Sequence, residues 1–263
     1  MKKLWIMCLG AVALGSAGLT AQASVVTLNW NDVTQGTLTK SGPAYTELVP
    51  VGGGDVKVSV QGSTSTTLEK FGPGSIQTPA VTSTIFNGGL PASESSNLST
   101  VADFHPSAVD SDPTVTFTIN FLGYTHGVSN VAFSLFDVDA NDTTHFVDRV
   151  TFLTPGVGLT GSADNVVSGP SGNVVTGTHG SPNLGAGSSN GNVYVHYNTL
   201  PSNQITFVFD NPSGKEALHG IGIGNISFTP VPEASQLAMG LAACALGAFW
   251  LRQTGRRKAA GMA

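Results

Sequence analysis

The chain has 263 residues, a net charge of −5 and only 10% charged residues, with 33 glycines and two cysteines. Between residues 24 and 231 fifteen acids face five bases, a net charge of −10, and a surface that acidic repels nucleic acid and anionic lipid while attracting divalent cations. Both cysteines, Cys8 and Cys244, lie in the terminal segments, which excludes a disulfide scaffold, a zinc–thiolate site and a cysteine nucleophile from the stretch between them.

Met1-Lys2-Lys3 is a charged start, Leu4 to Leu19 an apolar segment, and Ala21-Gln22-Ala23 an A-x-A site. This is the layout of a secretory signal peptide, residues 1–23, cut by signal peptidase before Ser24. Cys8 has no lipobox around it, so no lipoprotein is expected. The mature chain is expected to cross the membrane unfolded and to fold outside the cytoplasm.

Residues 24–229 are rich in Gly, Ser, Thr, Asn and Val and poor in Lys, Glu and Leu, a composition of strands and turns rather than helices. Val25 to Trp30 reads as a first strand, and Asp55 to Val60 alternates, with Val56, Val58 and Val60 on one face. Gln61 to His105 is weaker and predicts long surface loops, with strand candidates at Thr66–Phe71, Thr82–Phe86 and Leu98–Phe104. Thr114–Leu122 carries Val115, Phe117, Ile119 and Phe121 on one face. Val131, Phe133 and Leu135 alternate next, then Phe146, Val150 and Phe152. After a glycine-rich interval come Asn192–Tyr197, Gln204–Asp210 and Ile221–Thr229. About ten strands without helical period or internal repeat predict one all-β domain, a single antiparallel β-sandwich of jelly-roll type.

One stretch carries candidate ligands. Asp137, Asp139, Asn141 and Asp148 stand at positions 1, 3, 5 and 12 of a D-x-[DN]-x-[DN] pattern, the oxygen spacing of a Ca²⁺ loop. Asp142 at position 6, Asp148 in place of glutamate and strand flanks rule out an EF-hand. By period 2, Asp137 and Asp139 continue the face of Val131, Phe133 and Leu135, and Asp148 shares a face with Val150 and Phe152. If the two strands form a hairpin, three carboxylates crowd its end, Arg149 points away, and a Ca²⁺ ion relieves their repulsion. The pattern leaves a second reading open, in which these acids cap turns and face water. The segment Phe133–Phe152 also looks like a stretch of bacterial surface sandwiches in which an Asp-x-Asp strand precedes Asp-Arg-Val.

Other motifs carry less. The six histidines show no metal-ligand spacing and read as loop or surface residues. No G-x-S-x-G is present, Gly169-Pro170-Ser171-Gly172 reads as a turn, and Gly52-Gly53-Gly54 opens no phosphate-binding helix. Nothing nominates a carboxylate pair for glycoside hydrolysis, so no enzyme is expected. Trp30, Tyr45, Tyr124, Tyr194 and Tyr197 suit sugar stacking or ordinary packing alike.

The C-terminal segment is the most specific feature. Val231-Pro232-Glu233 is followed by an apolar run over residues 236–251 and then by Arg252, Arg256, Arg257 and Lys258. The run, at ~1.5 Å per residue, falls short of a ~30 Å hydrocarbon core and spans it only with local thinning. Its basic end resists translocation. The arrangement over residues 230–258 resembles the PEP-CTERM sorting signal of Gram-negative bacteria, read by the membrane protease-transpeptidase exosortase. Val231, Pro232 and Glu233 match the family's Val-Pro-Glu-Pro; Ala234 replaces the second proline, and five residues follow the basic cluster. Gly-Ile-Gly-Ile-Gly-Asn-Ile-Ser-Phe, residues 220–228, also resembles the closing strand of many such proteins. The resemblance implies an exosortase-sorted protein of the cell surface or extracellular matrix, anchored transiently or stably in the inner membrane by its C-terminal helix, or released into an extracellular polysaccharide matrix. Two roles follow as expectations: a structural or adhesive one, and a Ca²⁺-supported carbohydrate-binding module.

Overall fold

Apolar and polar residues alternate along most of residues 26–230, and the backbone follows that period into strands. The computed structural model describes residues 24–72, 74–91, 95–141, 146–178, 188–214 and 218–232, with the isolated Gly247. Its strands pair antiparallel, and helical content among these residues of the folded unit is one 3₁₀ turn, Trp30–Asp32, capped by Asn29. The chain parts into a compact unit, Val25–Pro230, and a second one made of Met1–Ser24 and Val231–Ala263. Most of the second, including the predicted signal peptide and nearly all of the predicted 236–251 span, lies outside the described residues. Among the described residues no helix is long and apolar enough to cross a membrane.

One sheet of eight described strands runs in the order Asn165–Ser168, Val174–Gly177, Arg149–Phe152, Gln204–Asp210, Thr114–Leu122, Gly54–Gly62, Ala44–Val51, Thr39–Ser41. The other, of ten, is organised around Val128–Phe136. Val193–Thr199 pairs with one edge of that strand and carries Val157–Gly161 beyond it. Leu218–Ile223 and Ile226–Pro230 share the other edge. Asn97–Phe104 pairs with Leu218–Ile223, and Val26–Leu28 with Ile226–Pro230, Val26 opposite Phe228.

The inner faces of the two sheets meet in one apolar core. Phe117 stacks on Phe207 within the first sheet, centroids 4.8 Å apart. Across the gap, Phe104 meets Phe209 edge-on at 5.5 Å and Phe121 meets Phe228 at 4.9 Å. Burial of this many aromatic side chains, each contributing roughly 1.5–3 kcal/mol, carries a domain in which the sequence allows no disulfide.

Thr114–Leu122 and Gln204–Asp210 coincide with the sequence reading. The region 61–105 departs from it in part. Asn97–Phe104 matches the expected strand 98–104 to within a residue, but it is buried along almost its whole length rather than lying at the surface, because both its faces are covered. Leu98, Ala102 and Phe104 face the core. Val101 joins Ile85, Phe86 and Phe136 in a small second cluster on the outer side. The predicted strand 82–86 stops at Thr82, and Phe86, at φ +48°, turns its ring onto the sheet. The predicted strand 221–229 is two strands: at the break, Gly224 O accepts from Trp30 Nε1 and Asn225 Oδ1 from Trp30 N, both at 2.9 Å. Ala44–Val51, Val157–Gly161, Asn165–Ser168 and Val174–Gly177 are strands the alternation did not signal, and all but Val174–Gly177 are only partly buried or exposed throughout.

Candidate functional site

Val128–Phe136 ends where Asp137 takes φ +64°, a left-handed turn that aspartate tolerates better than most side chains. The next residues are fixed by backbone contacts. Val138 N–H donates to Gly191 O at 3.0 Å, and Val138 O accepts from Asn165 Nδ2 at 2.6 Å. Asp148 N–H donates to Asp139 O at 2.9 Å, and Asp139 N–H to Asp148 Oδ2 at 3.3 Å. Gly177 closes the site from the neighbouring strand: a Cβ there would stand 2.2 Å from Asp139 O, so a side chain is excluded.

The two strands named for the expected hairpin do not pair, but a short antiparallel stretch between them sets Asp139 beside Asp148, through the Ala140–Val147 bridge and the bond from Asp148 N–H to Asp139 O. Val128–Phe136 belongs to one sheet, while Arg149–Phe152 pairs with Gln204–Asp210 and Val174–Gly177 in the other. Both strands have apolar inner faces, so they enter the core from opposite sides, and the acids occupy the crossover between sheets. Asp139 and Asp148 are buried, 3% and 1% exposed, and Asp137 partly so. Arg149 points away, its Nε donating to Asp210 Oδ1 at 2.8 Å and its Nη2 to Oδ2. Asn141 lies past the Ala140–Val147 bridge, its N–H donating to Phe146 O at 3.3 Å. Asp142 and His145 fall outside the described residues. Among the described residues no group of three or more His, Cys, Asp or Glu is disposed to hold a metal ion.

His219 completes the site, and the sequence reading missed it. Its Nδ1 lies 2.6 Å from Asp148 Oδ1, both side chains almost fully buried. Among the described residues Nε2 has no hydrogen-bond partner, and it sits among Phe104, Phe146 and Phe209, whose rings meet the imidazole edge-on. The signal was available: Ile223 and Ile221 face inward, and one more step of period 2 reaches residue 219.

Burial dominates the electrostatics. It pushes Asp137 up to about 8, with repulsion from Asp139 and then Asp148 adding to it. It also raises Asp148 well above the carboxylate range, reinforced by Asp139 and opposed by the Asp139 N–H. Burial pulls His219 down to about 4, against the charges of Asp139, Asp103 and Asp210. Both members of the Asp148–His219 pair are thus driven toward neutrality, one proton shared between Oδ1 and Nδ1.

These shifts set a pH dependence. An acid whose folded pKa lies above its unfolded value, near 3.9, stabilises the fold at low pH, and that contribution is lost as pH rises through the folded pKa. For Asp137 the window ends near pH 8. The lowered His219 works in the opposite sense, losing stability as pH falls from about 6.5 toward 4. Between about pH 6.5 and 8 the contribution of His219 is already complete while that of Asp137 is still being lost, so in EDTA the melting temperature falls across that interval. Asp137→Asn, which keeps the left-handed turn, flattens the fall; an equal fall in the variant refutes the assignment.

Of the predicted processing residues, Ser24 is exposed and Val231 and Pro232 follow the last strand. Ala21, Ala23, Glu233, Arg252, Arg256, Arg257 and Lys258 lie outside the described residues. The chain matches no protein-family model and no curated protein.

Proposed function

We propose that this is an exported protein, sorted to the cell envelope through its C-terminal segment, whose domain is a single jelly-roll-like β-sandwich with a structural or adhesive role at the cell surface or in the extracellular matrix. The order of segments carries the reading: an A-x-A site before Ser24, an acidic β domain without cysteine, then Val-Pro-Glu, an apolar run and a basic cluster. The fold is compatible in one respect. Val26 pairs with Phe228, so the first and last strands of the domain lie side by side. Signal peptidase and exosortase are the processing partners, and the membrane holds the residues 236–251 as a helix.

Cell fractionation with N-terminal sequencing tests the reading. The protein is expected outside the inner membrane, beginning at Ser24, and deletion of residues 236–258 is expected to release it in soluble form. Full-length chain in the cytoplasm would sink it.

The crowding of Asp137, Asp139 and Asp148 favours a second reading, in which Ca²⁺ held by these carboxylates and Asn141 firms up a carbohydrate-binding module. A cation there takes the place of the protons that burial keeps on the acids, and Asp148 exchanges His219 for it.

A further inference from the structure

On the outer face of the ten-stranded sheet Val157–Gly161, Val193–Thr199, Val128–Phe136 and Ile226–Pro230 run side by side. Gly158, His196, Ala132 and Ser227 form one row across the four strands, and Thr160, Tyr194 and Ser134 another. Small side chains keep this surface low. At Gly158 a Cβ would stand 2.0 Å from His196 Cε1, so the glycine lets the imidazole lie down over its neighbour. Tyr194 is 48% exposed, and its ring runs near-parallel to that of His196, centroids 5.9 Å apart.

Beside these rings opens a trough of about 250 Å³, floored by Ala132, Ser134 and Ser227 and walled by Leu90, Tyr194 and Asn225. Its polar atoms are short and ready to bond. Asn225 Oδ1 is engaged by Trp30 N, which leaves Nδ2 as a donor. Ser227 Oγ donates to Ala132 O at 3.3 Å and keeps its lone pairs. Among the described residues that line the trough none is charged.

We infer that this trough binds a neutral polysaccharide chain. A pyranose ring presents C–H bonds that suit the electron-rich face of an exposed tyrosine, and hydroxyls at its rim that pair with amide and hydroxyl groups. An uncharged trough on a domain of charge −10 offers nothing to an anionic polymer and repels it at a distance. The site lies on the outer face of the sheet, whereas the Asp137–Asp148 cluster lies at the crossover into the core, so glycan binding needs no metal. The inference draws only its biological setting from the export reading.

Affinity electrophoresis tests it, with the full chain held in a detergent without a sugar headgroup. Dextran, galactomannan and hydroxyethyl cellulose are the neutral probes and alginate the anionic one. At least one neutral polymer is expected to retard the protein and alginate is not. Tyr194→Ala is expected to weaken retardation about tenfold or more, Tyr194→Phe to retain most of it, and Leu122→Ala, at an exposed position on the other sheet, to leave it unchanged. Retardation by none of the neutral probes, equal retardation by alginate, or binding indifferent to Tyr194→Ala overturns the inference. So does self-association that disappears in Tyr194→Ala, which would make a second copy of the chain the occupant. An exported protein that fails to bind sinks this inference alone; a binding protein retained in the cytoplasm sinks the export reading alone.

Discussion

Gly220→Ala destabilises the domain by about 1–3 kcal/mol, the range for overpacking a filled site, and lowers the melting temperature by about 2–12 °C for a domain of this size, at ~2–4 °C per kcal/mol. The cause is local. Gly220 and Gly222 alternate with Ile221 and Ile223 along Leu218–Ile223, so the isoleucines fill the core while the glycines face outward. There Phe86 lies against the bare backbone. A Cβ on Gly220 would stand 1.9 Å from Phe86 Cζ, and one on Gly222 would stand 2.7 Å from Phe86 O. The ring must leave the small cluster it forms with Ile85, Val101 and Phe136. A double-mutant cycle isolates the effect: in a Phe86→Ala background the clashing ring is gone and Gly220→Ala costs less, the difference being the ~0.5–3 kcal/mol coupling expected of residues in contact. Equal costs in both backgrounds would show that the glycine is there for another reason.

Saturating Ca²⁺ raises the melting temperature at pH 8 by about 5–10 °C. A ligand that binds the folded state alone stabilises it by RT ln(1 + [L]/Kd), ~2.7 kcal/mol at a hundredfold excess over Kd, and the conversion to temperature is ~2–4 °C per kcal/mol. The gain shrinks at pH 5.5, because protons held by Asp137 and Asp148 compete with the cation. Asp139→Ala abolishes the shift and leaves the metal-free domain no less stable, since one of three repelling carboxylates is gone. The backbone bonds of residue 139 to Asp148 survive that substitution. If Ca²⁺ and EDTA give the same melting temperature, the cluster is a buried proton store and the second reading fails.

Period 2 was legible wherever one face of a strand is core and the other solvent. Val115, Phe117, Ile119 and Phe121 gave a strand its true bounds, as did Ile205, Phe207 and Phe209. It helped less where both faces are covered. Leu98–Phe104 was a strand candidate and is one, but Asn97 and Ser99 are buried where so polar a stretch was expected to lie at the surface. They are buried because they have partners: Asn97 Nδ2 and Ser99 Oγ both donate to Ile85 O, a residue whose approach no spacing announces. It was silent at edges such as Asn165–Ser168, where little is buried. The acids of the candidate site were found by their spacing, and a short ladder about the Ala140–Val147 bridge does set Asp139 beside Asp148; the flanking strands were expected to pair and instead join different sheets, because alternation says which face is apolar and not which sheet a strand joins. His219 needed that missing information, since it meets Asp148 across 71 positions of chain.

The strand Ile226–Pro230 lies between Val26–Leu28 and Val128–Phe136, and this placement governs how the domain bears tension. A polymer gripping Tyr194 and a tether leaving at Pro230 would pull on the same sheet. The load path runs from Val193–Thr199 to Val128–Phe136, through the Ser134–Tyr194 and Ala132–His196 pairs, and on to Ile226–Pro230 through the Ala132–Ser227 pair. Hydrogen bonds between antiparallel strands lie across the strand axis, so a pull along Ile226–Pro230 loads its ladder bonds together in shear rather than opening them singly like a zipper. The aromatic core between the sheets stays out of that path, so such a pull would load the ten-stranded sheet without prying the two sheets apart.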